Sequence, residues 1–297
     1  MSAWKARFQA EALDLVELVL VPGLAAVLPW GFCYRVFRFL SRFDFLYRES
    51  CNQTYPFARR HGWFQDLALW QRHRRLVMMV DHADFYLALT RSLRWTRRHV
   101  ETSGDWPAPG KASLLCSFHW GCGMWALWLA GAAGLRPHAL VAPLRPDIFP
   151  GRMLRYRYYR ARNRVVARAL RNDPLDTAAS LRPMLKALRA EGQVLALLDV
   201  PPNQVAASVE IDFLGLRARM PSGVLRVAVE QGIPITLFIN GFRLGDGHRF
   251  LRLIDIGVPA DLDSLTRQVF ACLEGLIREE PALWHYWEVA DQFFTPP

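Results

Sequence analysis

Hydrophobic and polar positions change their rhythm twice along the chain. No charged residue occurs from Leu18 to Tyr34, a run that reaches only the lower end of the roughly 17–25 residues of a spanning helix. Pro22 and Pro29 fall inside it. Proline removes an amide donor and clashes with the preceding turn, so the run predicts a kinked or re-entrant helix. Arg35, Arg38, Arg42 and Arg48 follow at once, interleaved with Phe37, Phe39, Phe43 and Phe45, and this basic side is expected to stay cytoplasmic. Glu11, Asp14 and Glu17 stand where a cleavable signal would be basic. The alternative for the run is a core helix of a soluble protein. Residues 50–110 read as helical, aromatic and basic, with Arg72, His73, Arg74 and Arg75 ahead of Leu76–Val80 and four arginines around Trp95.

From Lys111 the pattern becomes short apolar runs alternating with helical stretches. Strands are predicted at Ser113–Phe118, His138–Ala142, Gln193–Val200, Pro234–Gly241 and Phe250–Ile256, with extended pieces at Glu210–Gly215 and Leu216–Met220. Helices are predicted at Gly123–Gly134, 149–171, 177–190, from Pro221 onward, and from about Asp261 to Arg278. This alternation predicts an α/β fold: a central mixed, largely parallel sheet flanked by helices, preceded by an N-terminal hydrophobic membrane-associating helical segment. The expected division is a membrane-associating segment over 1–48 and an α/β domain over 49–297.

Composition narrows the function. With 12% aromatic residues the chain is not disordered, and arginines scattered through every later region exclude a multi-span transporter. The 37 Lys+Arg against 27 Asp+Glu give a net charge of +10, and only Lys5, Lys111 and Lys186 are lysines. Such a surface favours anionic partners: acidic lipid, an acidic carrier protein or nucleic acid. No zinc finger, helix-turn-helix or RNA-reading strand accompanies it, so nucleic acid is not expected. Cys33, Cys51, Cys116, Cys122 and Cys272 show no metal-ligand spacing. They read as reduced, mostly buried thiols, and no metal or cofactor is expected.

Chemistry collects where parallel strands end. His119 stands at the end of the first such strand, followed by Trp120, Gly121 and Gly123, with the glycines expected to let a substrate approach. A histidine there can take a proton from a hydroxyl or amine near neutral pH. Leu115-Cys116-Ser117-Phe118-His119-Trp120-Gly121 resembles the strand-His-aromatic-Gly motif of the bacterial lipid A late acyltransferases, within the wider glycerolipid and lysophospholipid acyltransferase superfamily. Arg155–Arg171 resembles the family's arginine-rich block, and Glu191-Gly192-Gln193 running into Leu197-Leu198-Asp199 its Gly-strand-Asp segment. Ile211-Asp212-Phe213-Leu214-Gly215-Leu216-Arg217-Ala218, Pro221-Ser222-Gly223 and Gly232-Ile233-Pro234 are similar to its later motifs.

The resemblance implies transfer of a fatty acyl group from acyl-acyl carrier protein, or from acyl-coenzyme A, to a lipid-like acceptor at the cytoplasmic face of the inner membrane, with His119 as general base. In the family an acid five residues after the histidine orients it; here that position is Met124. Asp199, ending a neighbouring buried strand, is the expected substitute, ahead of Asp147 and Asp173. Trp120, Gly121, Gly123, Arg155, Arg162 and Arg164 are the expected substrate-binding residues, and Trp125, Leu127, Trp128 and Leu129 could line an acyl pocket. Cys122 is a poor candidate nucleophile for want of an adjacent base. The rival expectation is a non-catalytic acyl-carrier or lipid-binding partner that has lost the dyad.

Overall fold

The computed structural model describes residues 3–176 and 181–294; positions 177–180, at the start of the helix expected over 177–190, lie outside these. Helix α1 (Ala3–Asp14) widens into a π turn at Leu15–Leu20 and continues as α2 (Val21–Val27). Pro22 sits in the first turn of α2, where its missing N–H is no loss. The kink falls at Pro29 instead: Leu28 before it is extended (φ −89°, ψ 150°), and α3 (Trp30–Leu40) starts afresh. Among the described residues no helix is long and apolar enough to cross a membrane.

Three helices follow: α4 (Arg48–Arg60), α5 (Leu67–Thr90) and α6 (Leu93–His99). Asp66 caps α5 by accepting from the Ala68 and Leu69 amides, and Ser92 caps α6 through the Trp95 amide. The expected helical character stops there, because Val100–Ser103 forms strand β1. Only one of its four residues is buried, too little for a legible alternation. Next come β2 (Ser113–Ser117), α7 (Met124–Ala132), β3 (His138–Val141), α8 (Met153–Leu170), β4 (Leu175–Asp176) and α9 (Arg182–Arg189). The chain continues with β5 (Gln193–Leu197), β6 (Ser208–Phe213), β7 (Leu216–Pro221), α10 (Gly223–Gln231), β8 (Ile235–Phe242), β9 (Arg249–Gly257) and α11 (Leu262–Glu279). A tail of short helical turns over 281–292 closes it.

Seven strands form one mixed sheet in the order β1-β9-β8-β2-β5-β3-β4. The run β8-β2-β5-β3-β4 is parallel; β9 pairs antiparallel with β8 and parallel with β1. The expected Glu210–Gly215 and Leu216–Met220 pieces form a separate β6–β7 hairpin. The central strands are buried on both faces, as parallel strands between helices must be. Leu114 and Cys116 join one core with Val194, Ala196, Ile235 and Leu237. Leu115 joins the opposite one with Leu195, Phe238 and, from α7, Trp125 and Leu129. Each Leu, Ile, Val or Phe among them contributes roughly 1.5–3 kcal/mol by leaving water.

The N-terminal helices share the first of these cores through Cys33, Tyr34 and Phe37. Trp30 Nε1 donates to the Gly247 carbonyl at 3.0 Å and the Tyr34 hydroxyl to that of Leu244 at 2.7 Å. Their outer faces are unusually apolar: Trp4, Phe8, Leu20, Val27, Phe32, Phe39 and Phe45 are each more than half exposed.

Candidate active site

β2 and β5 pair in parallel with Ser117 opposite Leu197. Two residues further along each strand stand His119 and Asp199, so the same offset delivers both side chains to one end of the sheet. Asp199 is fully buried. Its carboxylate accepts from the His119 amide at 2.8 and 3.0 Å, from His119 Nδ1 at 2.9 Å and from Trp284 Nε1 at 3.0 Å. A buried carboxylate with its hydrogen bonds made is a fixed orienter. Its hold on Nδ1 leaves the Nε2 lone pair on the other edge of the ring, where the Tyr286 hydroxyl lies at 3.2 Å. The His119 side chain is 29% exposed. The carboxylate that meets the imidazole thus comes from the adjoining strand, while Met124, five residues after His119, is buried with Leu18, Phe85, Tyr158 and Val165.

The tail after α11 was not singled out in the sequence, yet it builds half of the site. The His285 amide donates to the His119 carbonyl at 2.8 Å, and the Gly121 amide to the Leu283 carbonyl at 2.9 Å. His285 Nε2 bonds the Gly121 carbonyl at 2.6 Å. Arg74, fully buried on α5, donates to the carbonyls of Ala282 and Trp284 at 2.5 and 2.8 Å and so anchors the tail. The density of Trp284, His285, Tyr286 and Trp287 is the one sequence signal that could have drawn attention here.

The site opens into a cavity of about 430 Å³. His119, Trp120, Gly121, Gly123 and Arg162 all line it. The two glycines have a different reason from the one expected. A Cβ on Gly121 (φ +75°) would lie 2.2 Å from the Asn240 carbonyl oxygen, and one on Gly123 2.1 Å from Asn240 Nδ2. They make room for β8, not for an incoming molecule. Trp120 is buried, and its Nε1 has no hydrogen-bond partner among the described residues.

The three expected substrate-binding arginines part company. Arg162 lines the cavity but is held by both oxygens of Asp81, at 2.6 and 2.8 Å. Burial alone would raise the Asp81 carboxyl, but the Arg162 guanidinium outweighs it and holds the group well below the usual range. Arg155 turns away to Asp14, at 2.8 Å, and Arg164 is exposed and outside the cavity. Of the expected acyl-pocket residues only Leu127 lines the cavity; Trp125 and Leu129 are core, and Trp128 packs against the cluster around Met124. Burial pushes the Cys122 thiol well up, which removes it as a nucleophile. Two further histidines line the cavity, His82 and His285. Burial pushes them down to about 3 and about 4 respectively, so both are neutral at pH 7.

Among the described residues no cluster of His, Cys, Asp and Glu could hold a metal ion. Compared with known proteins, the chain matches no family model and no curated protein.

Proposed function

We propose that the protein is an acyltransferase that moves a fatty or related acyl group from a thioester to a hydroxyl or amine of a lipid-like acceptor. The observation that carries this reading is the His119–Asp199 pair: an imidazole fixed by a buried carboxylate on Nδ1 and free to work through Nε2 beside a cavity. His119 Nε2 takes the acceptor's proton as its oxygen or nitrogen attacks the thioester carbonyl. The new C–O or C–N bond forms, the C–S bond breaks, and the departing thiolate takes the proton back from His119. The oxyanion meets backbone amides at the start of α7, from Cys122 to Trp125. The Gly121 amide is not among them, since it is spent on Leu283. Leu127, Leu140, Val141, Leu197 and Phe238 give the cavity an apolar wall suited to the acyl chain.

Two surfaces support the setting. Arg157, Arg160, Arg164 and Arg168 along α8, and Arg171 just past its end, are exposed and suit an acidic acyl carrier protein, or the phosphates of coenzyme A. The exposed aromatic and aliphatic side chains before residue 48, interleaved with Arg35, Arg38, Arg42 and Arg48, suit a helical face seated in an anionic inner-membrane surface from the cytoplasmic side without crossing it. The α8 arginines and the strand-end histidine belong to the stretch that resembles the lipid A late acyltransferases, and the N-terminal segment resembles theirs in character only. The non-catalytic reading, an acyl-carrier or lipid-binding partner, draws on one observation: Tyr286 occupies the Nε2 edge of His119. The test is thiol release from a dodecanoyl thioester by the purified chain, with and without His119→Ala, beside lipid mass spectrometry of cells carrying each. Loss of release with folding intact is expected; equal release by both forms would sink the catalytic reading.

A further inference from the structure

A second cavity, of about 220 Å³, adjoins the first. The two share Ser50, Met78, His82, Tyr159 and Glu288 as walls, so a molecule in one touches the same side chains as a molecule in the other. Their remaining walls differ in chemistry. Around the first cavity they mix aliphatic and aromatic side chains with His119, His285, Asn240 and the Arg162–Asp81 pair, whereas the annex adds Leu18, Tyr47, Glu17, Glu49, Gln53 and Arg155. Arg155, the only cation among them, is engaged by Asp14 at 2.8 Å. Glu49 is likewise held by Arg152 at 2.7 Å and Glu17 accepts from the Tyr47 amide, so what the annex offers is the remaining acceptor capacity of Glu17 and of Glu288 on the shared rim, joined by amide and hydroxyl groups. Tyr159 lies on both walls. Burial pushes the Glu17 carboxyl up to about 7, against the Tyr47 amide from which it accepts.

Position adds a second constraint. The annex residues Tyr47, Glu49, Ser50 and Gln53 follow directly on Phe43 and Phe45, which are 40% and 52% exposed. A polar chamber beginning where an exposed apolar surface ends suits an amphiphile. We infer that the annex is the acceptor subsite and that the acceptor is an amphiphile whose headgroup carries hydroxyls or an amine and no phosphate. The inference rests on the acyl-transfer reading for the word acceptor, but not for the binding it describes. The headgroup's donors meet Glu17, Glu288 and Tyr159, its tail lies toward the phenylalanines, and a phosphate there would find Arg152 and Arg155 already held by Asp14 and Glu49.

Calorimetric titration tests this on the full chain in phosphatidylcholine nanodiscs, with no thioester present. The probes are octyl glucosaminide, octyl glucoside 6-phosphate and n-octanol, each below its micellar concentration. The glucosaminide is expected to bind about tenfold more tightly than either other probe, because the phosphate meets like charge and octanol has no headgroup to read. Glu49→Lys with Glu288→Lys, both at exposed positions, should reverse the order of the two sugars. Equal binding of all three probes, or preference for the phosphate by the wild-type chain, overturns the annex. Adding dodecanoyl-pantetheine then separates the two ideas. Preserved glucosaminide preference without thioester consumption would remove the acyl-transfer reading and leave the annex as a binding site. Thioester consumption with no preference among probes would do the reverse.

Discussion

Asp199 at the strand ends and Asp81 and Asp84 on α5 are carboxylates held by partners of different kinds. On the sheet side Asp199 holds an imidazole, a group that can gain and lose a proton near neutral pH, and leaves its other nitrogen at the cavity. On the α5 side the carboxylates meet guanidiniums: Asp81 with Arg162 and Asp84 with Arg249, each at 2.6 Å. Arginine does not titrate in the working range, so these pairs fix α5 against α8 and β9 and move no proton. The lesson is that a buried carboxylate says little about function until its partner is named. The same acid orients a base in one setting and rivets two elements together in the other.

That contrast can be broken from either side. Asp199→Asn should lower acyl transfer by about 10²–10⁴, since an amide can favour the wrong imidazole tautomer and cannot stabilise imidazolium; steady-state rates beside a thermal melt would show whether the loss exceeds any change in stability. Asp81→Asn should act on the fold, costing about 3–5 kcal/mol in urea unfolding by stranding the Arg162 charge. A rate loss there with unchanged stability would erase the distinction.

Glu17 tests a third kind of buried acid. Its carboxyl, raised by burial to about 7 from 4.5, holds a proton more tightly folded than unfolded. The stabilisation is therefore complete below pH 4.5 and is lost as pH rises through about 7. Glu17→Gln lacks this dependence, so relative to wild type it should gain about 2 kcal/mol between pH 4.5 and pH 7; parallel urea curves at the two values check the sign. Smallest is Tyr286→Phe. If its hydroxyl only occupies Nε2 until an acceptor arrives, removing it should change kcat by no more than a few-fold and move the acidic limb of the pH–rate profile. A hundredfold loss would place Tyr286 in the proton path itself.

Much of this arrangement could be read before the fold was seen. Ser113–Phe118, Gln193–Val200 and Pro234–Gly241 are apolar runs of strand length, and they form β2, β5 and β8 at the centre of the sheet. Asp199 could be named as partner of His119 because both stand at the ends of such runs. The tail was opaque for a physical reason: residues 281–292 form short tight turns with no period of burial to betray them. Asp81 drew no notice and Arg162 was expected to bind substrate, since nothing local says that two charges so far apart in sequence will meet. The arginine block also misled. Its regular density conceals that Arg152, Arg155 and Arg162 are consumed by Asp14, Glu49 and Asp81, while Arg157, Arg160 and Arg164 stay in water.

The common offset of His119 and Asp199 past the Ser117–Leu197 pair bears on how catalytic signatures are written. A signature is normally spelled along one stretch of chain, histidine first and acid a fixed count later. By that spelling Met124 is a vacancy and the chain would be discarded as defunct. Spelled across the sheet, from one strand tip to its neighbour, the pair is whole. Proteins with an orphan strand-end histidine are worth sorting again by asking what stands at the same height on the adjoining strand.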